Sequence, residues 1–299
     1  MKSTINLNAI FACLVAATLW GLYWIPLRFL DNSGISGLWA SVLIYFVSFL
    51  FIFPRFYSLR ADFYASKMLY TLLAIFAGWT NLGFVLALLE GEVVRVMILF
   101  YLSPVWATLL AFFILNERLK KRNISALVLA VAGVFLISWY PEIEFMKSFD
   151  RADFYAISSG LAFAITNIIV RKIGGLTHTV KMCSAWFGVI VLAGCGILLT
   201  QDSFPVVTLN NLLLIGVLGF PLMIIMTWTA QYAVSNLPIY LSSVLFLFEI
   251  IVGAISAVML ANELITVIQF IGIVMILSAG LLNTMRISYD FFPSDGNPP

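Results

Sequence analysis

Charge is what this chain has least of. Charged residues make up 10% of its 299 positions, and the net charge is +2. Soluble domains carry about 25% charged residues, and a chain so poor in them cannot coat itself for water. The Lys and Arg residues lie scattered between apolar runs, with no basic patch for nucleic acid. Cysteine is scarce too. Cys13, Cys183 and Cys195 are odd in number, lack CxxC spacing and fall in apolar stretches. That excludes a disulfide framework and a zinc site, and leaves three small packing residues. The one histidine, His178, falls in a short loop without a partner pattern and is expected to be solvated. No GxxxxGK[ST] is present, so this chain alone does not pump on ATP. Glu90/Glu92 and Glu142/Glu144 sit in short loops. They lack the clustered acidic pattern that holds magnesium around a diphosphate, which makes a lipid-modifying membrane enzyme the weakest alternative. No cofactor and no catalytic residue is implied.

What the chain has is apolar length. Hydrophobic residues reach 63% and mean hydropathy is +1.07. A helix needs roughly 20 apolar residues to cross a hydrocarbon core. Ten runs qualify: 8–30, 35–53, 67–89, 93–115, 123–140, 152–171, 180–200, 209–233, 239–260 and 265–286. The first is read as a retained helix rather than a signal peptide, because many similar runs follow it. The runs are long and continuous rather than alternating, which favours helices over a barrel. The expected fold is an all-α polytopic membrane protein of ten transmembrane helices. Its surroundings are lipid, its partner is a small-molecule substrate, and a monomer suffices.

Positive charge sets the expected orientation. With both termini in the cytoplasm, inside segments hold 12 of the 16 Lys and Arg, including Arg118, Lys120, Lys121 and Arg122. Asp31, Glu90, Glu92, Glu142, Glu144, Asp150, Asp153 and Asp202 all fall outside.

The chain also repeats itself at an offset of 146 residues, counted from Asn116-Glu117 to Asn262-Glu263. The same step pairs Ala111 with Ala257, Leu99-Phe100 with Leu245-Phe246, and Ala87 with Ala233. Five spans per half is odd, so the second half enters the membrane upside down. The boundaries expected are 1–147 and 148–299. Inverted halves facing each other across a midplane cavity are the architecture of alternating access.

These features resemble the drug/metabolite transporter superfamily in its ten-helix form with two EamA-type repeats. The resemblance is carried by Ala17-Thr18-Leu19-Trp20-Gly21 in the first span and Ala162-Phe163-Ala164-Ile165-Thr166-Asn167 in the sixth. Leu102-Ser103-Pro104-Val105 in the fourth span and the two Asn-Glu helix ends complete it. The stretch from Val93 to Trp106 is similar to that of bacterial inner-membrane exporters of aromatic and other amino acids. The resemblance implies an exporter of such amino acids or related small metabolites in an inner membrane. It also implies a cavity formed by the first, third, fourth, sixth, eighth and ninth spans. A broad exporter of lipophilic cations is the alternative. One departure is that Ile250 stands where a counterpart of Pro104 would fall.

Glu249 is the residue least at home in its span. A carboxylate at the bilayer centre costs about 2.5–3.5 kcal/mol on insertion scales. It is expected either to bind a proton or amine in the pathway or to hydrogen-bond a neighbouring helix. Asn81, Asn167 and Gln231 are amides at membrane depth, suited to interhelical bonding or to a zwitterion. Trp20, Trp24, Trp79, Tyr101 and Trp228 supply aromatic surface that can wall a cavity and attract an ammonium. The expected substrate-binding set is Trp20, Trp24, Trp79, Asn81, Tyr101, Asn167, Trp228 and Glu249. Arg28 and Arg95 either hold a substrate carboxylate, or snorkel and pair with Glu90, Glu92 or Asp31. Glu117 and Glu263 are expected to cap or tether helix ends. Pro26, Pro104, Pro221 and Pro238 are flex points or static kinks.

Overall fold

A computed structural model describes residues 6–103, 149–173, 178–237 and 248–284 apart from Leu264, with isolated residues within 105–136 and at 245–246. Pro104, Asn116-Glu117, the basic segment 118–122, most of span 123–140, the loop residues 141–148 and Pro238 lie outside the described residues.

Every regular element among the described residues is helical. They run α1 (Leu7–Leu22), α2 (Trp24–Asn32), α3 (Gly37–Ser58), α4 (Arg60–Ala65), α5 (Lys67–Glu90) and α6 (Val93–Phe100). After 149 come α7 (Arg151–Ile173), α8 (His178–Thr200), α9 (Leu209–Val217), α10 (Met223–Asn236), α11 (Phe248–Leu260) and α12 (Val267–Thr284). Six segments are long and apolar enough to cross a membrane: Leu7–Asn32, Gly37–Ser58, Lys67–Glu90, Arg151–Val170, His178–Thr200 and Leu209–Val234. They coincide with six of the ten expected spans. Leu198, Leu199, Leu212, Leu213 and Phe270 are exposed on the outside of the bundle. Water would penalise such a surface and lipid does not, so the chain is a multi-pass membrane protein.

Proline explains two breaks. Pro26 cannot donate to the Leu22 carbonyl, and its ring would crowd that carbonyl. The first span accordingly divides at Tyr23, and Pro26 sits in the opening turn of α2. In the eighth span Phe220 is extended (φ −148°, ψ 116°) just before Pro221, within a π-helical turn Leu218–Leu222 that joins α9 to α10. Pro221 therefore interrupts this span internally.

Consecutive spans are antiparallel, so their ends fall into two sets, and polar contacts concentrate at one of them. Ser36 caps α3 by accepting from the Trp39 N–H (3.4 Å) while its hydroxyl donates to Asp202 (2.5 Å). At the same end Arg95 is almost fully buried and grips Asp153 through Nε–Oδ1 (2.7 Å) and Nη2–Oδ2 (2.5 Å). Asp153 and Asp150 also exchange bonds across the first turn of α7 (3.3 and 3.0 Å), a reciprocal cap. Glu263 accepts from the Val93 and Val94 N–H groups (2.9 and 3.2 Å), which are orphan donors at the start of α6. Arg28 joins Glu263 (3.4 Å) and donates to the Gly91 and Leu88 carbonyls (2.6 and 3.2 Å). Glu263 thus tethers a helix end, as expected, but the helix lies in the other half of the chain.

Packing is tight where glycines meet backbone. A Cβ on Gly160 of α7 would stand 2.5 Å from the Phe100 carbonyl oxygen, and one on Gly21 of α1 would stand 2.9 Å from that of Glu249. The main interhelical pairs are α5 with α7, α1 with α10, α1 with α11, α6 with α7, and α8 with α3 and α5.

Candidate substrate cavity

Amide, hydroxyl and aromatic residues at helical spacing place one face each of α5, α7, α8 and α10 around a cavity of about 210 Å³. From α5 come Leu73, Ala77, Thr80, Asn81 and Phe84, and from α7 Phe163, Thr166, Asn167 and Val170. From α8 come His178, Lys181, Ala185 and Trp186, and from α10 Thr227, Ala230, Gln231 and Val234. Steps of three and four residues recur in every set, the spacing that keeps side chains on one face. Trp20, Phe100, Tyr101, Phe246 and Glu249 complete the wall. The cavity runs toward the bundle end that holds Val170, His178 and Val234. The ion pairs of Arg28 and Arg95 lie at the opposite end and contribute nothing to its wall.

Glu249 lies in the first turn of α11, is 5% exposed and faces the cavity. The Tyr101 oxygen stands 2.7 Å from its Oε2 and 2.9 Å from the Phe246 carbonyl. A phenol has one proton to donate. If Glu249 carries a proton and donates to Tyr101, and Tyr101 donates to Phe246, every contact is satisfied. If Glu249 is charged, Tyr101 must choose between two acceptors. Asn81 is also held in place, accepting from the Tyr45 hydroxyl (3.0 Å) and donating to the Ala77 carbonyl (2.7 Å).

Five of the eight expected substrate residues meet here: Trp20, Asn81, Tyr101, Asn167 and Glu249. Trp24, Trp79 and Trp228 do not. The Trp24 indole donates to Ser256 (3.0 Å) and carries Arg28 over its ring (5.1 Å), tying α2 to α11. Trp79 falls two residues, or some 200° around the helix, from Ala77, and bonds Ser158 on α7 (3.2 Å). Trp228 lies one step off the cavity-facing row of α10, is 48% exposed and stacks on Tyr232. Nor do the arginines offer a carboxylate clamp. Arg95 is taken by Asp153 and Arg28 by Glu263, rather than by Glu90, Glu92 or Asp31. Glu92, between spans, is pushed above the usual carboxylate range by partial burial and then by the nearby Glu263 charge.

His178 is not a solvated loop residue. Helix α8 begins at it, and its side chain lines the cavity beside Gln231. Lys181, counted from sequence only as an inside charge, is 5% exposed in the same wall. The signal for both was available. His178, Lys181 and Ala185 lie three and four residues apart, facing the same way as Trp186.

Residues 7–139 match the EamA-like transporter family. An uncharacterized transporter of Clostridium kluyveri is 24% identical over 195 residues, covering 62% of this chain and 61% of that protein. The match thus spans less than two thirds of that relative. A solved structure described only as a crystal structure of protein superimposes with a TM-score of 0.64 at 13% identity. It covers 93% of this chain and 97% of that one. At that identity the likeness speaks for a shared fold.

Proposed function

We propose that this chain, a member of the drug/metabolite transporter superfamily with an EamA-like first half, is a secondary transporter exporting amino acids, aromatic or other neutral, or related small metabolites. Transport proceeds by alternating access in a bacterial inner membrane, with both termini cytoplasmic and with inverted halves at 1–147 and 148–299. The observation that carries the substrate reading is Glu249. It is an acid held by Tyr101 in a wall otherwise rich in aromatic rings, suited to an ammonium attached to a flat apolar body.

Helix pairing supports the inverted halves. Exchanging the two halves turns the contact of α5 with α7 into that of α10 with α1. It likewise turns α1 with α11 into α7 with α6. The close glycines follow the same exchange, Gly21 on the Glu249 backbone and Gly160 on the Phe100 backbone. The second reading, export of lipophilic cations, is favoured by the same carboxyl.

Uptake into proteoliposomes distinguishes them. Labelled phenylalanine, leucine and a tetraphenyl cation are offered with and without a pH gradient. Saturable movement of the amino acids, competed by one another, is expected. Movement of the cation alone would select the second reading, and movement of none would overturn both.

A further inference from the structure

The cavity lies between two helix pairs. On one side α5 packs on α7, with α8 beside them, and on the other α1 packs on α10. The pairs differ in build. Helices α5 and α7 run unbroken for 24 and 23 residues and contain no proline. Helices α1 and α10, of 16 and 14 residues, are pieces of the two spans that proline interrupts, on the side away from the Glu263 tether. Pro26 has no N–H to give the Leu22 carbonyl, and Pro221 has none to give that of Val217, so each span lacks a backbone bond at its break.

The two sides of each break are held differently. The pieces on the Glu263 side are fastened to their neighbours. Arg28 of α2 donates to the Leu88 and Gly91 carbonyls at the end of α5 (3.2 and 2.6 Å). At the other break the Ser48 hydroxyl of α3 stands 2.9 Å from the Gly219 carbonyl, and the Phe220 ring stacks on Phe51 of α3 at 3.9 Å. A Cβ on Gly219 would stand 2.7 Å from the Ile44 carbonyl oxygen, so this turn sits on the α3 backbone. Beyond the breaks, α1 and α10 pack chiefly on each other, and α1 also on α11. Ala9 and Cys13 of α1 meet Ala233 and Leu237 at the end of α10, all four buried. Across the cavity, α10 touches α8 through Gln231 and His178.

We propose that α1 and α10 form a gate that swings as a unit about the breaks at Tyr23 and Phe220. Its swing opens and closes the cavity end that holds Val170, His178 and Val234, while α3, α5, α7, α8 and α9 stay in place. Trp20, Thr227, Ala230, Gln231 and Val234 ride on the moving pair, so the swing sets the width of the cavity. Gly21, just before the first break, lies against the Glu249 backbone, which puts the pivot beside that carboxyl. This rests on the alternating-access reading and concentrates the motion in the pair whose backbones are interrupted. A helix of 14 residues is about 21 Å long, and turning it by about 15° moves its far end by about 5 Å.

The test measures distances between nitroxide pairs by double electron–electron resonance, on the full chain in lipid nanodiscs with the exposed Cys195 replaced by Ser. Labels at Asn236 and Thr71 span the cavity end, those at Asn8 and Asn236 lie within the gate, and those at Asn210 and Thr200 report α9 against α8. All five positions are exposed. Each pair is measured alone, with saturating phenylalanine, and with Glu263→Ala, which cuts the tether at the opposite end. The Asn236–Thr71 distance is expected to shorten by about 5 Å with Glu263→Ala, while the other two hold within about 2 Å. A single Asn236–Thr71 distance under all three conditions would overturn the gate. So would an equal change between Asn210 and Thr200, which means the whole span moves, or between Asn8 and Asn236, which means the pair is not a unit. A shift with Glu263→Ala but none with phenylalanine upholds the gate and counts against amino acid export. Fixed distances together with phenylalanine uptake into proteoliposomes remove the gate and leave the proposed function standing.

Discussion

At the residue scale, the account turns on which charges are spent on structure and which face the cavity. Arg95 and Asp153 are spent, each nearly buried and each satisfying the other. Removing one partner strands the other charge, which costs about 3–5 kcal/mol in a buried pair, whereas an apolar replacement of both can be neutral. Asp153→Ala should therefore lower thermal stability in detergent sharply, and Arg95→Met with Asp153→Leu should restore most of it. A melting curve on the three proteins checks this. Sequence showed that Glu249 was costly where it stood, because a charge in an apolar run is visible without coordinates, and it left Arg95 as a substrate clamp or a paired, snorkelling arginine. It could not show their partners. Asp153 lies 58 residues from Arg95 and Tyr101 lies 148 from Glu249, separations that only packing closes.

At the element scale, apolar length made the spans readable, since a helix in lipid must satisfy its own backbone. Spans at 67–89 and 209–233 match Lys67–Glu90 and Leu209–Val234 within a few residues. Which face of a helix looks inward was less readable. Mean apolarity is high all round, so Trp79 and Trp228 look as suitable as Trp20 until the neighbouring helices are in place. Glycine shows where neighbours come closest. Gly160→Ala puts a methyl against the Phe100 carbonyl, where backbone cannot yield, whereas Gly194 of the neighbouring helix α8 has nothing within 4 Å of its would-be Cβ. Gly160→Ala should drive α7 away from α6, lowering stability and transport together. Gly194→Ala should be neutral, or stabilising by up to about 1 kcal/mol through helix propensity. Comparing melting temperature and uptake for the two variants separates close packing from a general effect of added methyls.

At the scale of the whole molecule, one end of the bundle is latched and the other reaches the cavity. Glu263 from the second half holds the start of α6 and the Arg28 guanidinium, both from the first half. On the proposed topology this latch closes the outer side while His178 and Lys181 face the cytoplasm. The proposed duplication is read from an offset of 146 residues that returns the same residue types. The latch was not legible in sequence, because Glu263 lies 170 residues from Val93 and 235 from Arg28. Topology has a direct check. Single cysteines at Asp62 and at Ser203, in a chain with Cys13, Cys183 and Cys195 replaced, should react with an impermeant maleimide from opposite faces. Asp62 should label only in inverted vesicles and Ser203 in intact cells. Labelling of both from one face would remove the orientation.

The central claim is that a small molecule crosses through this cavity by way of Glu249. Counterflow of labelled phenylalanine in proteoliposomes tests it, comparing the parent with Glu249→Gln between about pH 5.5 and 8. Gln keeps the shape and the contact with Tyr101 but can neither release a proton nor carry charge. The account predicts saturable counterflow by the parent and a fall of at least about tenfold in the variant at every pH, with the variant inserted and as stable as the parent. Counterflow by Glu249→Gln equal to that of the parent across the whole range would contradict it.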